Sequence, residues 1–422
     1  MIKNNKIVLE SKVDKSLLIS LLTVLLFPLF PTIFGNNSFH VIPFVITFSF
    51  LILYKKNGNR FFIPKNNSTQ FVVVFFCITF LLLCISLFND FHFQNASLSY
   101  FMGVIKPLYL FLFFLVGFSN KINDFKIVYT FAIFFEIAII LCFCYVLFEI
   151  IFIEEFKGII YFLYKREERF VLIDKATGWF GVTYYFAYFC LLLFFYSFFM
   201  LSKSFNFKYL FLTLFAFVPL VLSQSRTVII AFLFGFIIIP FLRISNKNKK
   251  IYLLFFFFLI ATITLFIIYF DFIYDNFRYA YSGIARLTEG INLNDEGSIQ
   301  TRYKQFVWAF DNNIYKVIGF GLGREEGLAL ESIYASYMYR FGIIYLLIYL
   351  LIIYKFYQIS AKLALLFKDN NILYSFFSAS SLFYITSPIS LIASPSHEMP
   401  KIAFIVFIMS GIVYRFNYKY LN

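Results

Sequence analysis

The chain has 422 residues, of which 61% are hydrophobic and only 14% are charged. So few charged residues cannot cover the surface of a soluble protein of this size, so the composition excludes an ordinary soluble domain. The net charge of +14 would suggest nucleic acid in a soluble protein, but no run of basic residues alternates with aromatic ones. We therefore expect no nucleic-acid partner.

Apolar segments long enough, or nearly long enough, to cross a bilayer recur along the whole chain. They lie near residues 16–34, 39–54, 70–89, 101–119, 127–153, 181–201, 209–223, 227–242, 251–270, 332–354, 372–392 and 402–414. The sequence thus predicts an all-α fold, with residues 1–422 forming one integral membrane domain, a polytopic bundle of about twelve transmembrane helices.

The distribution of basic residues orients these predicted helices. If the N-terminus is cytoplasmic and the segments alternate, Lys and Arg far outnumber Asp and Glu in the cytoplasmic connections. The short outer connections near 35–38 and 90–100 carry no Lys or Arg. By the positive-inside rule, both termini are expected in the cytoplasm.

Two predicted outer segments, about 154–180 and 272–331, are longer than ordinary connections and rich in aromatic and aliphatic residues. We expect function on this outer face. The second segment contains a predicted helix at 299–312, capped by Ser298. An apolar stripe along that helix would let it lie on the membrane surface or cap the bundle. The stripe comprises Tyr303, Phe306, Val307 and Phe310.

Charged residues inside predicted spans are costly and indicate function. Lys106 and Arg340 are two such residues, and Glu136 and Glu149 are candidate partners for them. The sequence alone does not pair these four side chains.

Arginines also stand in three local motifs, and an Arg can bind a phosphate through two hydrogen bonds. Arg166 and Arg169 belong to a charge run that can equally pair with itself. The motif 223–226, Ser-Gln-Ser-Arg, opens a span, where its Arg can instead extend to the interface. The motif 319–324, Gly-Phe-Gly-Leu-Gly-Arg, can form an anion-binding nest or a flexible turn.

Two residues are candidate bases. His397 lies between two prolines in a predicted tight outer loop, and Glu331 stands at the entrance to a span. No cysteine or histidine spacing resembles a zinc site, so we expect no metal and no cofactor.

In this order, these features resemble the Wzy family of O-antigen and capsular polysaccharide polymerases, within the O-antigen ligase-like superfamily. The matching parts are 223–226 at the start of a span, an outer loop running from Arg302 through Trp308 to 319–323, and Glu331-Ser332-x-Tyr334 entering a span with Gly342. Ligases typically have a His-Asn-like pair where this chain has Glu331-Ser332. That departure favours a polymerase.

The resemblance implies a metal-independent, inverting glycosyltransferase of the C type in the bacterial inner membrane, with its active face in the periplasm. The donor would be a growing glycan on undecaprenyl diphosphate. The acceptor would be a lipid-linked repeat unit, whose non-reducing-end hydroxyl attacks the anomeric carbon. The family also favours binding of a chain-length regulator protein.

A diphosphate leaving group needs positive charge, which clustered arginines can supply. The available set is Arg166, Arg169, Arg226, Arg278, Arg302, Arg324 and Arg340. We expect Arg226 and Arg340 to matter most because both adjoin spans, and we expect Glu331 or His397 to be the catalytic base.

Two alternatives stay open at this point. An O-antigen ligase would use the same donor with a lipid A-core acceptor. A flippase or transporter of lipid-linked oligosaccharides would perform no chemistry, and the charges at Lys106, Glu136 and Arg340 are compatible with it.

Overall fold

The computed structural model describes residues 13–26, 67–92, 98–118, 122–152, 176–180, 182–239, 297–311 and 330–421, with isolated positions 45, 49, 257, 260, 261, 264 and 268. All regular structure in these ranges is helical, which confirms the all-α prediction. The helices are α1 Lys15–Leu26, α2 Asn67–His92, α3 Leu98–Phe118, α4 Asp124–Ile151, α5 Thr183–Ser204, α6 Phe207–Leu222, α7 Arg226–Ile238, α8 Gly297–Asp311, α9 Ile333–Leu366, α10 Asn371–Ser390 and α11 Pro400–Phe416. Short 3₁₀ turns occupy Gly178–Phe180 and Ser396–Glu398, and a π turn follows α11 at Asn417–Leu421.

Five of the described helical stretches are long and apolar enough to cross a membrane. They are Asp124–Glu149, Thr183–Ser204, Ile333–Leu366, Asn371–Ser390 and Pro400–Leu421. Shorter apolar helices coincide with other predicted spans, at Lys15–Leu26, Val72–Leu82, Lys106–Phe118, Phe207–Leu222 and Arg226–Ile238. The chain is thus helical and of membrane type, while the total of about twelve spans remains a prediction. Most of the predicted spans near 39–54 and 251–270, and the second part of that near 16–34, lie outside the described residues.

The core of the bundle is built around α5 and α10, which are buried on nearly all sides. Phenylalanine rings fill the space between neighbouring helices. Phe194 of α5, for example, meets Phe232 of α7 edge to face at 5.0 Å, a preferred geometry for aromatic pairs. Phenylalanine rings of this kind therefore pack the core between the described helices.

A glycine pair lets α3 and α11 approach closely. A Cβ on Gly117 would collide with the backbone carbonyl of Ile408, and a Cβ on Gly411 would collide with that of Phe114. Small residues allow such backbone contact between membrane helices. The crossing fixes the start of α3 beside the loop that precedes α11.

The helix α9 is longer than predicted and is interrupted. It continues from Ile333 to Leu366, well beyond the expected end near 354, and Gly342 within it has φ 79° and ψ 175°. Only glycine adopts this conformation without strain. The break divides α9 into two helical parts and lies between Arg340 and Tyr345.

The predicted helix in the second long segment is confirmed as α8, but its predicted cap was wrong. Ser298 lies inside the helix and not at its cap. Within the predicted stripe, Tyr303 is 67% exposed, and only Phe306 packs against the contact with α9. Instead Ala309 is buried against Ala335 and Tyr339 of α9, with Trp308 beside them. Small Ala309 thus sets the face that contacts α9.

Candidate functional site

A pocket lies where α2, α3, both parts of α9, the loop before α11 and α11 itself meet. Its polar wall consists of Lys106, Tyr337, Arg340, His397 and Glu398. Its remaining wall consists of Phe75, Phe76, Thr79, Pro107, Leu110, Phe341, Tyr345, Tyr349 and Phe407. Ionisable side chains within a mainly aromatic wall are typical of a ligand site.

The loop before α11 turns two polar side chains inward. A single 3₁₀ turn spans Ser396–Glu398, closed by a 2.9 Å hydrogen bond from the Glu398 N–H to the Pro395 carbonyl. Pro400 then starts α11 at a position where its missing N–H costs nothing. As a result His397 and Glu398 are only 4% and 9% exposed, and each needs hydrogen-bond partners.

Glu398 has those partners. The Lys106 ammonium donates to its Oε2, and the Tyr337 hydroxyl donates to its Oε1. Burial by itself would raise the pKa of the Glu398 carboxyl, but the charges of Lys106 and His397, with these hydrogen bonds, lower that pKa to about 2. Glu398 is therefore ionised at neutral pH and acts as a counter-ion to Lys106.

His397 is in the opposite state. Burial lowers the pKa of its imidazole to about 4, although Glu398 opposes this shift, and Lys106 lowers the pKa further. The ring is therefore neutral at pH 7. Its Nε2 lies 2.9 Å from the Tyr349 hydroxyl and 3.3 Å from that of Tyr337. Its buried Nδ1 has no hydrogen-bond partner within the described part of the chain.

The structure brings together two residues that the sequence predicted separately, Arg340 and His397. It also gives Lys106 a different partner from the candidates. Lys106 pairs with Glu398, whereas Glu136 accepts a 2.7 Å bond from Lys208. The pairing of Lys106 with Glu136 or Glu149 was wrong.

Glu149 instead fastens a loop. Its carboxylate accepts a 2.8 Å hydrogen bond from the Thr177 hydroxyl and a 3.2 Å bond from the Thr177 N–H. Close by, the buried Lys401 ammonium donates to the Trp179 carbonyl at 2.9 Å. The short segment 176–180 is thereby held against α4 and α11.

Glu331 lies apart from the pocket wall. Its carboxylate is 53% exposed and is 3.4 Å from Arg302 of α8, and its N–H donates to the Gln305 side chain at 3.3 Å. The structure thus puts Glu331 and Arg302 in a surface pair that ties α8 to the start of α9.

The Ser-Gln-Ser-Arg motif forms a buried turn between α6 and α7. Gln224 has a left-handed φ of 51°, and Arg226 is the first residue of α7. The described pocket wall does not include Arg226. The remaining predicted arginines, Arg166, Arg169, Arg278 and Arg324, and the glycine-rich motif 319–324, lie outside the described residues.

Neither of the two tyrosines that contact His397 was predicted from the sequence. Tyr337 and Tyr349 are hard to single out in a chain with 31 tyrosines. One signal for Tyr337 was available, because it precedes Arg340 by one helical turn and shares its face. Within the described ranges, no three His, Cys, Asp or Glu side chains are grouped as metal ligands.

Comparison with known proteins identifies no family. No protein-family model matches the chain, and no curated protein is significantly similar to it. The fold and the pocket define a class only: a helical membrane-type protein with a cluster of ionisable side chains, two of them in the loop before α11, around one pocket.

Proposed function

We propose that the protein is a polysaccharide polymerase, which transfers a growing glycan from undecaprenyl diphosphate to the non-reducing end of a lipid-linked repeat unit with inversion. One observation supports this proposal above the others. Two cations, Lys106 and Arg340, and a neutral imidazole, His397, line the same pocket among membrane-type helices. These are the groups that such a transfer needs.

The cations suit the leaving group. The pocket wall contains two cations, Lys106 and Arg340, and one carboxylate, that of Glu398. Because His397 is neutral, the net charge of the wall is positive. Negative charge develops on the diphosphate as the anomeric C–O bond breaks, and fixed cations in an apolar surrounding stabilise it. A guanidinium such as that of Arg340 can bind a phosphate through two parallel hydrogen bonds.

His397 suits the acceptor better than Glu331 does, because His397 shares the pocket with the cations. In the proposed step the acceptor hydroxyl oxygen bonds to the anomeric carbon and its proton passes to His397. The bond from that carbon to the diphosphate oxygen breaks, and undecaprenyl diphosphate leaves with the electron pair. A single displacement of this kind inverts the anomeric configuration.

The proposal extends to the setting of the enzyme. It places the protein in a bacterial inner membrane, with both termini cytoplasmic and the pocket on the periplasmic side. It also makes the lipid bilayer and a chain-length regulator protein its expected partners.

A specific observation favours a second candidate, a flippase or transporter. Interrupted helices beside buried charges are typical of transporter binding sites, and α9 is interrupted at Gly342, next to Arg340 and the Lys106–Glu398 pair. This candidate would use the same pocket to hold an anionic lipid without breaking a bond.

One reconstitution separates these readings. Purified protein is incubated with undecaprenyl-diphosphate-linked repeat units, and the products are resolved on a gel. A ladder of chains on the lipid carrier supports the polymerase. Transfer only when lipid A-core is added means an O-antigen ligase, and absence of product with movement of lipid across liposomes means a flippase. Either of the last two results overturns the proposal.

A further inference from the structure

Which group donates and which accepts is fixed for the hydrogen bonds that join Glu398, Tyr337 and His397. Glu398 is ionised and can only accept, and the Tyr337 hydroxyl gives its one proton to Glu398. The Tyr337 oxygen also lies 3.3 Å from Nε2 of His397. Because that hydroxyl has no second proton, it can only accept there. The contact therefore calls for a proton on Nε2.

We propose that Tyr337 is a positioning residue, which fixes His397 as the Nε2–H tautomer and leaves Nδ1 as the nitrogen that accepts a proton. Its catalytic consequence rests on the proposed function, in which His397 is the base. A wrong tautomer disables an imidazole base even when its position is unchanged.

The opposite tautomer is disfavoured at both ring nitrogens. It would set the Nε2 lone pair against the Tyr337 oxygen. It would also bury an Nδ1–H for which the described residues offer no acceptor. Buried donors without partners are rarer in proteins than under-used acceptors. The Nε2–H form avoids both costs.

The other groups around His397 do not reverse this preference. Besides Tyr337, the ionisable residues that line a pocket with His397 are Lys106 of α3, Tyr188 of α5, Arg340, Tyr345 and Tyr349 of α9, Tyr384 of α10 and the adjacent Glu398. The nearest is the Tyr349 hydroxyl, at 2.9 Å from Nε2. It can donate or accept, so it adapts to the tautomer that Tyr337 sets.

The test uses ¹⁵N spectra of the whole protein labelled at its three histidines, with H397Q to assign the His397 signals. At pH 7 the wild type should show an unprotonated Nδ1 and a protonated Nε2. In Y337F the Tyr349 hydroxyl is free to donate to Nε2, so a measurable fraction should move to the Nδ1–H form.

Two further variants sharpen the result. Y345F removes a hydroxyl from the same helix and pocket, but that hydroxyl bonds Thr79 at 3.0 Å, so its spectrum should match the wild type. E398Q removes the acceptor-only partner of Tyr337 and should shift the tautomer as Y337F does, which keeps the test decisive if Y337F folds poorly.

Activity separates this inference from the proposed function. Polymerisation should fall about 10-fold or more in Y337F. If His397 of the wild type is the Nδ1–H tautomer, or if the spectra of Y337F and E398Q both match the wild type, the positioning role of Tyr337 is overturned. The expected tautomers in a wild type that makes no polymer overturn the proposed function and leave the positioning role standing.

Discussion

Two buried carboxylates in this molecule have similar partners and different surroundings. Asp124, at the start of α4, accepts hydrogen bonds from Arg415 at 2.6 Å, Lys419 at 2.8 Å and Tyr420 at 3.2 Å. Glu398 also accepts from a cation, Lys106, and a tyrosine, Tyr337, yet it borders a pocket. Beside it lies His397, whose Nδ1 has no hydrogen-bond partner among the described residues. The Asp124 cluster fastens the end of the chain to α4, whereas the Glu398 cluster leaves capacity for a ligand.

Substitutions that disable the two clusters separately should affect different properties of the protein. H397Q should lower the rate of polymerisation by about 10²- to 10⁴-fold, the usual worth of a general base, because the glutamine cannot accept the proton. Chain-length ladders and initial rates on lipid-linked repeat units measure this. A rate near wild type would remove His397 from the mechanism.

D124N should act on stability and not on chemistry. Weakening a buried, hydrogen-bonded ion pair leaves Arg415 without its counter-ion, which costs about 3–5 kcal/mol. Thermal unfolding of the detergent-solubilised protein should show a lower Tm. The rate per folded molecule should stay close to wild type, and a large loss of that rate would show that the two clusters are not separate.

Gly342→Ala tests the break in α9. An alanine at φ 79° and ψ 175° is strained by about 1–3 kcal/mol, so α9 should straighten locally or lose stability near Arg340. Polymer length and binding of an isoprenyl diphosphate should both fall. Ile344→Ala, two residues on and half exposed, is the matched control and should leave both unchanged.

The pH dependence gives the smallest effect. With a His397 pKa of about 4, the base is neutral above that pH. The rate should therefore be level near neutrality and fall only as the pH drops towards 4. Because Lys106 lowers this pKa, K106M should move the fall to higher pH, which rate profiles measure. An unmoved profile in K106M would show that Lys106 exerts no such influence, and K208M serves as the control for loss of a lysine.

Helix positions were largely predictable from hydropathy. The predicted spans near 127–153 and 372–392 agree with α4 and α10 to within a few residues. The end of α9 was misplaced, because Lys355 and Gln358 lower the apolar signal without stopping a helix. Polar residues alone cannot mark that end, since lysine and glutamine are good helix formers.

The site was predictable only in part. Arg340 and His397 stood out as a charge within a span and as a rare histidine in a predicted tight loop. The pocket that Arg340 and His397 share could not be predicted. It also needs Lys106 and Glu398, which are far apart in the sequence and meet through the packing of α3 on α11. Glu331 attracted attention through its neighbours in the chain, while tertiary packing assigns it to Arg302.

The glycine crossing of α3 and α11 has a mechanical consequence. Lys106 lies roughly 16 Å along α3 from Gly117, at the helical rise per residue. A rotation of α3 by about 10° about Gly117 would displace Lys106 by about 3 Å. Lys106 would then lie too far from Glu398 for a hydrogen bond. The close contact at Gly117 and Gly411 thus restricts rotation of α3 against α11. That restriction keeps Lys106 within hydrogen-bond distance of Glu398.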